Sequence, residues 1–120
     1  MEPVGQTWVQ VNACGAGEMG VRAAQPGDAF DRPMATRFSA QWLNPASGAW
    51  QGVPGSSSPW LLAGKGPWLT SETGWTRAFS PGTPGQPFTL RGVVEMQWRG
   101  RSGGVARAET LVTPQTCALR

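Results

Sequence analysis

The chain has 120 residues, enough for one hydrophobic core and one domain, and carries 17 Gly, 11 Pro and 7 Trp but no His and no Tyr. Only 14% of its residues are charged, the net charge is +3, and the basic side chains, all Arg except Lys65, are spread along the chain. That dispersal argues against nucleic-acid binding, the short apolar runs exclude a membrane-spanning helix, and the lack of His excludes a Ser-His-Asp constellation. Turn formers at this density point to an all-β chain with many loops, while the Trp and Phe supply large apolar surfaces that disordered chains lack.

In chain order, Val9, Val11 and Ala13 alternate with polar neighbours and predict a first strand over residues 7–13. Gly15, Gly17 and Gly20 follow in the G-x-G-x-x-G spacing of a dinucleotide-binding turn. That reading needs a helix, a parallel strand and an acidic residue some twenty positions on. Pro26-Gly27 cuts any helix short, and Asp28 and Asp31 come too early, so residues 15–31 are expected to form a glycine-rich loop and no cofactor is expected. Asp28 and Asp31 themselves, three positions apart, are expected to belong to a solvated turn rather than to a Ca²⁺ site.

Met34, Thr36, Phe38, Ala40 and Trp42 then alternate with a more polar set, predicting a half-buried strand; Asn44 to Gly48 turns, and Ala49 to Val53 returns as its hairpin partner. Residues 54–74 lack a period. Gly55-Ser56-Ser57-Ser58-Pro59 is expected to be flexible, and the echo of Pro59-Trp60-Leu61 in Pro67-Trp68-Leu69 is expected to mark two short edge strands or loops. Trp75, Arg77 and Phe79 alternate ahead of a breaker, Pro81-Gly82-Thr83-Pro84-Gly85. The clearest element runs from Phe88 to Arg99, with Leu90, Gly92, Val94, Met96 and Trp98 on one face; Gly100 to Gly104 turns the chain, and Val105 to Thr113 returns antiparallel, placing Glu109 near Arg91 or Glu95. These are about seven short strands without a helix of more than two turns, an arrangement that predicts a β-sandwich.

Cys14 and Cys117 lie near opposite ends, without a C-x-x-C motif or a His to build a metal site. A disulfide between them is expected, which places the first and last strands side by side and the protein in an oxidising, extracytoplasmic compartment. The start Met1-Glu2-Pro3-Val4 does not read as a signal peptide, so an exported chain would here begin at its mature segment.

The terminal hairpin LRGVVEMQWRGRSGGVARAETLVTPQTC, together with Cys14, resembles immunoglobulin-like domains of exported bacterial proteins. The antibody-type Cys–Trp–Cys spacing is not met, since Trp42 lies 28 positions after Cys14, and there is no Tyr for a tyrosine corner. The resemblance implies an extracellular immunoglobulin-like antiparallel β-sandwich and carries over no functional residue.

No catalytic residue is assigned. Asp28, Asp31, Glu72, Glu95 and Glu109 include enough carboxylates for glycosidase chemistry, but a small sandwich rarely builds the cleft it needs. Trp42 and Trp98 are expected in the core, whereas Trp50, Trp60 and Trp68 lie in or beside Pro/Gly/Ser-rich connections where an indole can stack on a sugar or meet a protein. Arg91, Arg99, Arg101 and Arg107 of the last hairpin are expected on a solvated face. The sequence thus predicts a non-catalytic extracellular module acting in structure or protein interaction, with glycan binding through Trp50, Trp60 and Trp68 as the alternative.

Overall fold

A computed structural model describes residues 7–28, 30–66, 69–80 and 88–119. Among these residues the chain is all β and antiparallel, with nine strands: β1 (Trp8–Gly15), β2 (Glu18–Pro26), β3 (Met34–Leu43), β4 (Trp50–Gly52), β5 (Leu61–Gly64), β6 (Thr70–Ala78), β7 (Phe88–Arg99), β8 (Val105–Val112) and β9 (Cys117–Leu119). Two sheets result. One has the order β1-β2-β6; the other has the order β4-β3-β7-β8, with β5 continuing the β4 side of β3 and β9 continuing the β8 side of β7. No helix among the described residues is long and apolar enough to cross a membrane.

The second sheet is built on the two strands with the clearest alternation. β3 and β7 pair over nine residues, from Met34 opposite Trp98 to Trp42 opposite Leu90, so their apolar sets share one face. On that face Phe38, Leu90, Val94, Met96 and Trp98 are fully buried against Met19 and Val21 of β2. Trp75 of β6 stacks on Phe38 at 6.1 Å between ring centroids and meets Phe79 edge-on at 6.2 Å, so this indole belongs to the core. Gly92 lets the sheets come close together: a Cβ there would stand 2.7 Å from Val21 Cγ2.

The expected glycine-rich loop is instead a hairpin and a strand. Ala16 and Gly17, both with positive φ (52° and 78°), form the two-residue turn between β1 and β2, as a type I′ hairpin requires. β2 then pairs on both sides, with β1 and with β6, and is almost wholly buried. Its sequence MGVRAAQ lacks alternation because a central strand covered on one face and flanked by neighbours tolerates small residues throughout. Gly20 suits that crowding: a Cβ would come within 3.1 Å of Ala13 Cβ and Thr76 Oγ1.

The serine-rich connection expected to be flexible is also ordered by the sheet. Between β4 and β5, Ser58 donates its N–H to Phe38 O (2.7 Å) and its hydroxyl oxygen accepts the Phe38 N–H (2.9 Å), while Ser56 Oγ accepts the Ala40 N–H (3.1 Å). Both serines are buried and complete the edge of β3 where no strand covers it. The echoed segment divides similarly: Leu61–Gly64 is a strand on β3 and Thr70–Ala78 a long strand on β2, while Trp68 and the breaker at residues 81–85 lie outside the described residues.

Cys14 at the end of β1 and Cys117 at the start of β9 form the disulfide, with Cα atoms 5.6 Å apart and a sequence separation of 103. It ties the edge of one sheet to the end of the other.

Candidate functional site

Two strands facing opposite ways in register put a line of polar and aromatic side chains on the solvent face of the β4-β3-β7-β8 sheet. Arg37 lies opposite Glu95, Gln41 opposite Arg91, and Leu43 opposite Trp50. Because side chains alternate along a strand, these residues all point away from the core that Phe38, Val94 and Met96 fill.

At one end of the face, the Arg91 guanidinium lies 4.4 Å from the centroid of the Trp50 ring and donates from Nε to Gln41 Oε1 at 2.8 Å. At the other, the Arg37 guanidinium is 4.6 Å from the centroid of Trp60 and that of Arg99 is 5.4 Å from it. Arg37 is held in turn by Glu95, through three hydrogen bonds of 2.8–3.2 Å that engage both carboxylate oxygens. Arg99 donates from Nε to Gln97 Oε1 at 3.2 Å. Each indole is half-buried, flanked by a planar cation over its π face, an arrangement stabilised by the ring quadrupole. Leu62, opposite Ala35 in register, adds an apolar side chain that is 78% exposed.

Beyond Arg99 the face runs into a cleft of about 360 Å³ lined by Phe30, Asp31, Arg32, Lys65, Arg99 and Arg101. The cleft is rich in cations, but one of them is already engaged: Arg32 meets the Asp28 carboxylate at 3.5 Å and lies over the Phe30 ring at 4.4 Å. Asp28 Oδ1 also accepts the Phe30 N–H at 3.0 Å. This carboxylate organises its own turn, and its side chain is largely buried there rather than solvated as the sequence suggested.

Of the three tryptophans singled out from the sequence, Trp50 and Trp60 lie on this one face, and Trp68 falls outside the described residues. The carboxylates are dispersed. Glu72 pairs with Arg22 (3.8 Å), Glu95 with Arg37 and Glu109 with Arg107 (3.6 Å). Glu109 stands opposite Met96, on the other face from Arg91 and Glu95, which corrects the expected proximity: the register places Thr110, not Glu109, opposite Glu95. The last-hairpin arginines also divide between faces. Arg91 and Arg99 cover outer-face indoles, whereas Arg107 covers Trp98 from the core side at 4.3 Å.

The guanidinium partners were the part of the site that composition concealed. Arg37 and Arg91 occupy polar positions in β3 and β7, and their proximity to Trp60 and Trp50 follows only from strand register and the path of the serine-rich connection. Compared with known protein families, with curated proteins and with solved structures, the chain matches none.

Proposed function

We propose that this chain is a non-catalytic immunoglobulin-like module of the extracytoplasmic space, and that it binds another protein through the outer face of the β4-β3-β7-β8 sheet. Three features support the module reading. Connectivity pairs the first, second and sixth strands in one sheet and the third, fourth, seventh and eighth in the other, with β5 and β9 added to the second sheet; apart from those two short strands, this order accords with an immunoglobulin-type Greek key in which an added strand extends the sheet of the third strand. The disulfide accords with an oxidising compartment. The carboxylates are mostly engaged by arginines rather than aimed at one another.

The observation that carries the binding reading is the pair of Trp–Arg clusters on one exposed sheet face. Tryptophan and arginine are the residue types that dominate binding energy at protein interfaces, and here both are held in place before any partner arrives, by Gln41 on Arg91 and Glu95 on Arg37. Pre-ordered side chains lose less entropy on binding. Protein binding is favoured over glycan binding because one face of each indole is already covered by a guanidinium, where sugar stacking needs it open.

The test is affinity capture from a cell-surface and secreted protein fraction on the immobilised full chain, with Trp50→Ala and Trp60→Ala as controls, beside titration with a panel of glycans. A protein retained by the wild type and lost with either variant is expected. Equal retention on the variants, or Trp-dependent binding of glycans in place of protein, would overturn the proposal. Unchanged emission from buried Trp98 and half-buried Trp75 verifies that each variant is folded.

A further inference from the structure

β8 is the outermost strand of its sheet over most of its length, pairing with β7 alone among the described residues. Six of its eight residues are exposed, including Val105 and Val112 at 53% and 43%. Such an edge is a template for a further strand. What distinguishes this edge is its charge pattern.

The direction of its free backbone groups follows from the ladder. Thr113 donates its N–H to Gly92 O at 2.9 Å, and the register with β7 is unbroken from Val112 opposite Val93 to Arg107 opposite Trp98. Since successive residues of a strand direct their N–H and C=O to opposite sides, Leu111, Glu109 and Arg107 bond toward β7, while Ala108, Thr110 and Val112 present theirs to the open edge. Ala108 therefore lies at the centre of an Arg-Ala-Glu triplet with its own N–H and C=O turned outward.

We propose that two copies of this chain associate through β8 as an antiparallel, two-fold symmetric pair centred on Ala108. Ala108 then exchanges both backbone hydrogen bonds with Ala108 of the second copy. Arg107 of each copy stands opposite Glu109 of the other, in the pairs whose side chains approach more closely. No other centre among these three residues does this: centring on Arg107 or on Glu109 opposes like charges. Small Ala106, Ala108 and Thr110 keep the other face of the junction clear. The two sheets become one continuous sheet, an isologous contact that closes on itself and leaves no further edge at β8.

A second observation points the same way. Glu109 Oε2 is buried without a hydrogen-bond partner, while Oε1 lies 3.6 Å from Arg107 of the same chain. The Glu109 side chain as a whole is 39% exposed, so a turn toward the open edge would bring this carboxylate to the guanidinium of the second copy, a stronger donor than its own chain supplies. The register shift between Trp98 and Arg99 ends the regular edge just beyond Arg107, so the ladder is short and the association concentration-dependent. This contact is separate from the Trp–Arg face, and either proposal stands if the other fails.

Sedimentation equilibrium of the full chain over a concentration series into the millimolar range tests it. The wild type is expected to pass from 12.7 kDa to twice that mass as concentration rises. R107E and E109R should each remain monomeric, because each opposes like charges across the junction. Mixing the two should restore a dimer, since every opposed pair is then unlike, and R107E/E109R in one chain should dimerise with itself. Because Arg107 covers Trp98, Ala108→Pro provides a second block: it removes the outward N–H while leaving the core intact. A wild type that stays monomeric throughout the series would overturn the proposal, as would a dimer that survives Ala108→Pro, or charge-reversed variants that fold but do not complement one another.

Discussion

Thr36 donates its hydroxyl hydrogen to Gln25 Oε1 at 2.7 Å, joining the two sheets through a polar contact sealed inside the sandwich. Gln25 completes the link by donating from Nε2 to the Gln97 carbonyl at 2.9 Å, so one side chain of β2 bridges β3 and β7. Nearby, the Trp98 indole N–H donates to Pro26 O at 2.9 Å. The sandwich is thus locked at this end by directional bonds, which fix the relative position of the sheets in a way that apolar packing alone does not.

Replacing Gln25 by Leu should accordingly destabilise the protein even though it makes the core more apolar. The Thr36 hydroxyl loses its acceptor, at about 1–3 kcal/mol for a buried group left unsatisfied, and the Gln97 carbonyl loses its side-chain donor. Adding Thr36→Val should recover part of the loss by removing the orphaned hydroxyl. Urea denaturation of the three proteins checks this, and a double variant no more stable than Gln25→Leu alone would contradict it.

Gly92 makes a steric prediction of the opposite kind. An added Cβ would lie 2.7 Å from Val21 Cγ2 and 3.0 Å from Thr113 Cγ2, and a valine methyl on a buried strand has little freedom to retreat. Gly92→Ala should therefore lower stability by about 1–3 kcal/mol through overpacking. Val21→Ala in the same chain should rescue part of it, because the two changes occupy and vacate the same space. Strictly additive losses in thermal melts would show that the sheets are not in contact there.

The disulfide closes a loop with 103 residues of separation. On the chain-entropy account, Cys14→Ser with Cys117→Ser should cost roughly 4–5 kcal/mol by releasing that constraint on the unfolded chain. The double variant should unfold at much lower denaturant with little change in native tryptophan emission, since neither cysteine touches an indole among the contacts that hold Trp75 and Trp98. A denaturation midpoint equal to that of the oxidised wild type would refute the assignment of this stabilisation to the bridge.

How much of this was legible in the sequence depended on what each strand faces. β3 and β7 have a polar outer face and an apolar inner one, so their period of two survives in the residues, and Trp42 and Trp98 fall on the apolar side as expected. β2 has neighbours on both edges and a core made of Met, Val and Ala, and its Gly and Pro mimic a loop. Ser56 and Ser58 mislead for a related reason: hydroxyls that finish a strand edge have the same composition as a flexible linker. Gln25 could not be found at all, because a buried amide is identifiable only from the groups it meets. At the candidate site, Trp50 and Trp60 were singled out by their setting, but the arginines over them depend on register and on contacts across 23 residues or more of sequence between Arg37 and Trp60, and 41 between Arg91 and Trp50.

The cover over those indoles is directly measurable. Arg37 and Arg91 are replaced by Ala separately, and quenching of tryptophan emission by acrylamide is compared with the wild type. Each change should expose one further indole, Trp60 or Trp50, and raise the quenchable fraction. Stability should fall only slightly, by about 1 kcal/mol or less, because the Arg37–Glu95 pair is about one-third exposed at both ends and screened by water. Arg37→Lys should behave like Arg37→Ala rather than like the wild type, since an ammonium can neither hold both Glu95 oxygens in a planar fork nor lie flat on the ring. If quenching is unchanged in all three variants, the guanidinium groups do not shield the indoles, and the argument that favours a protein partner over a sugar on this face loses its basis.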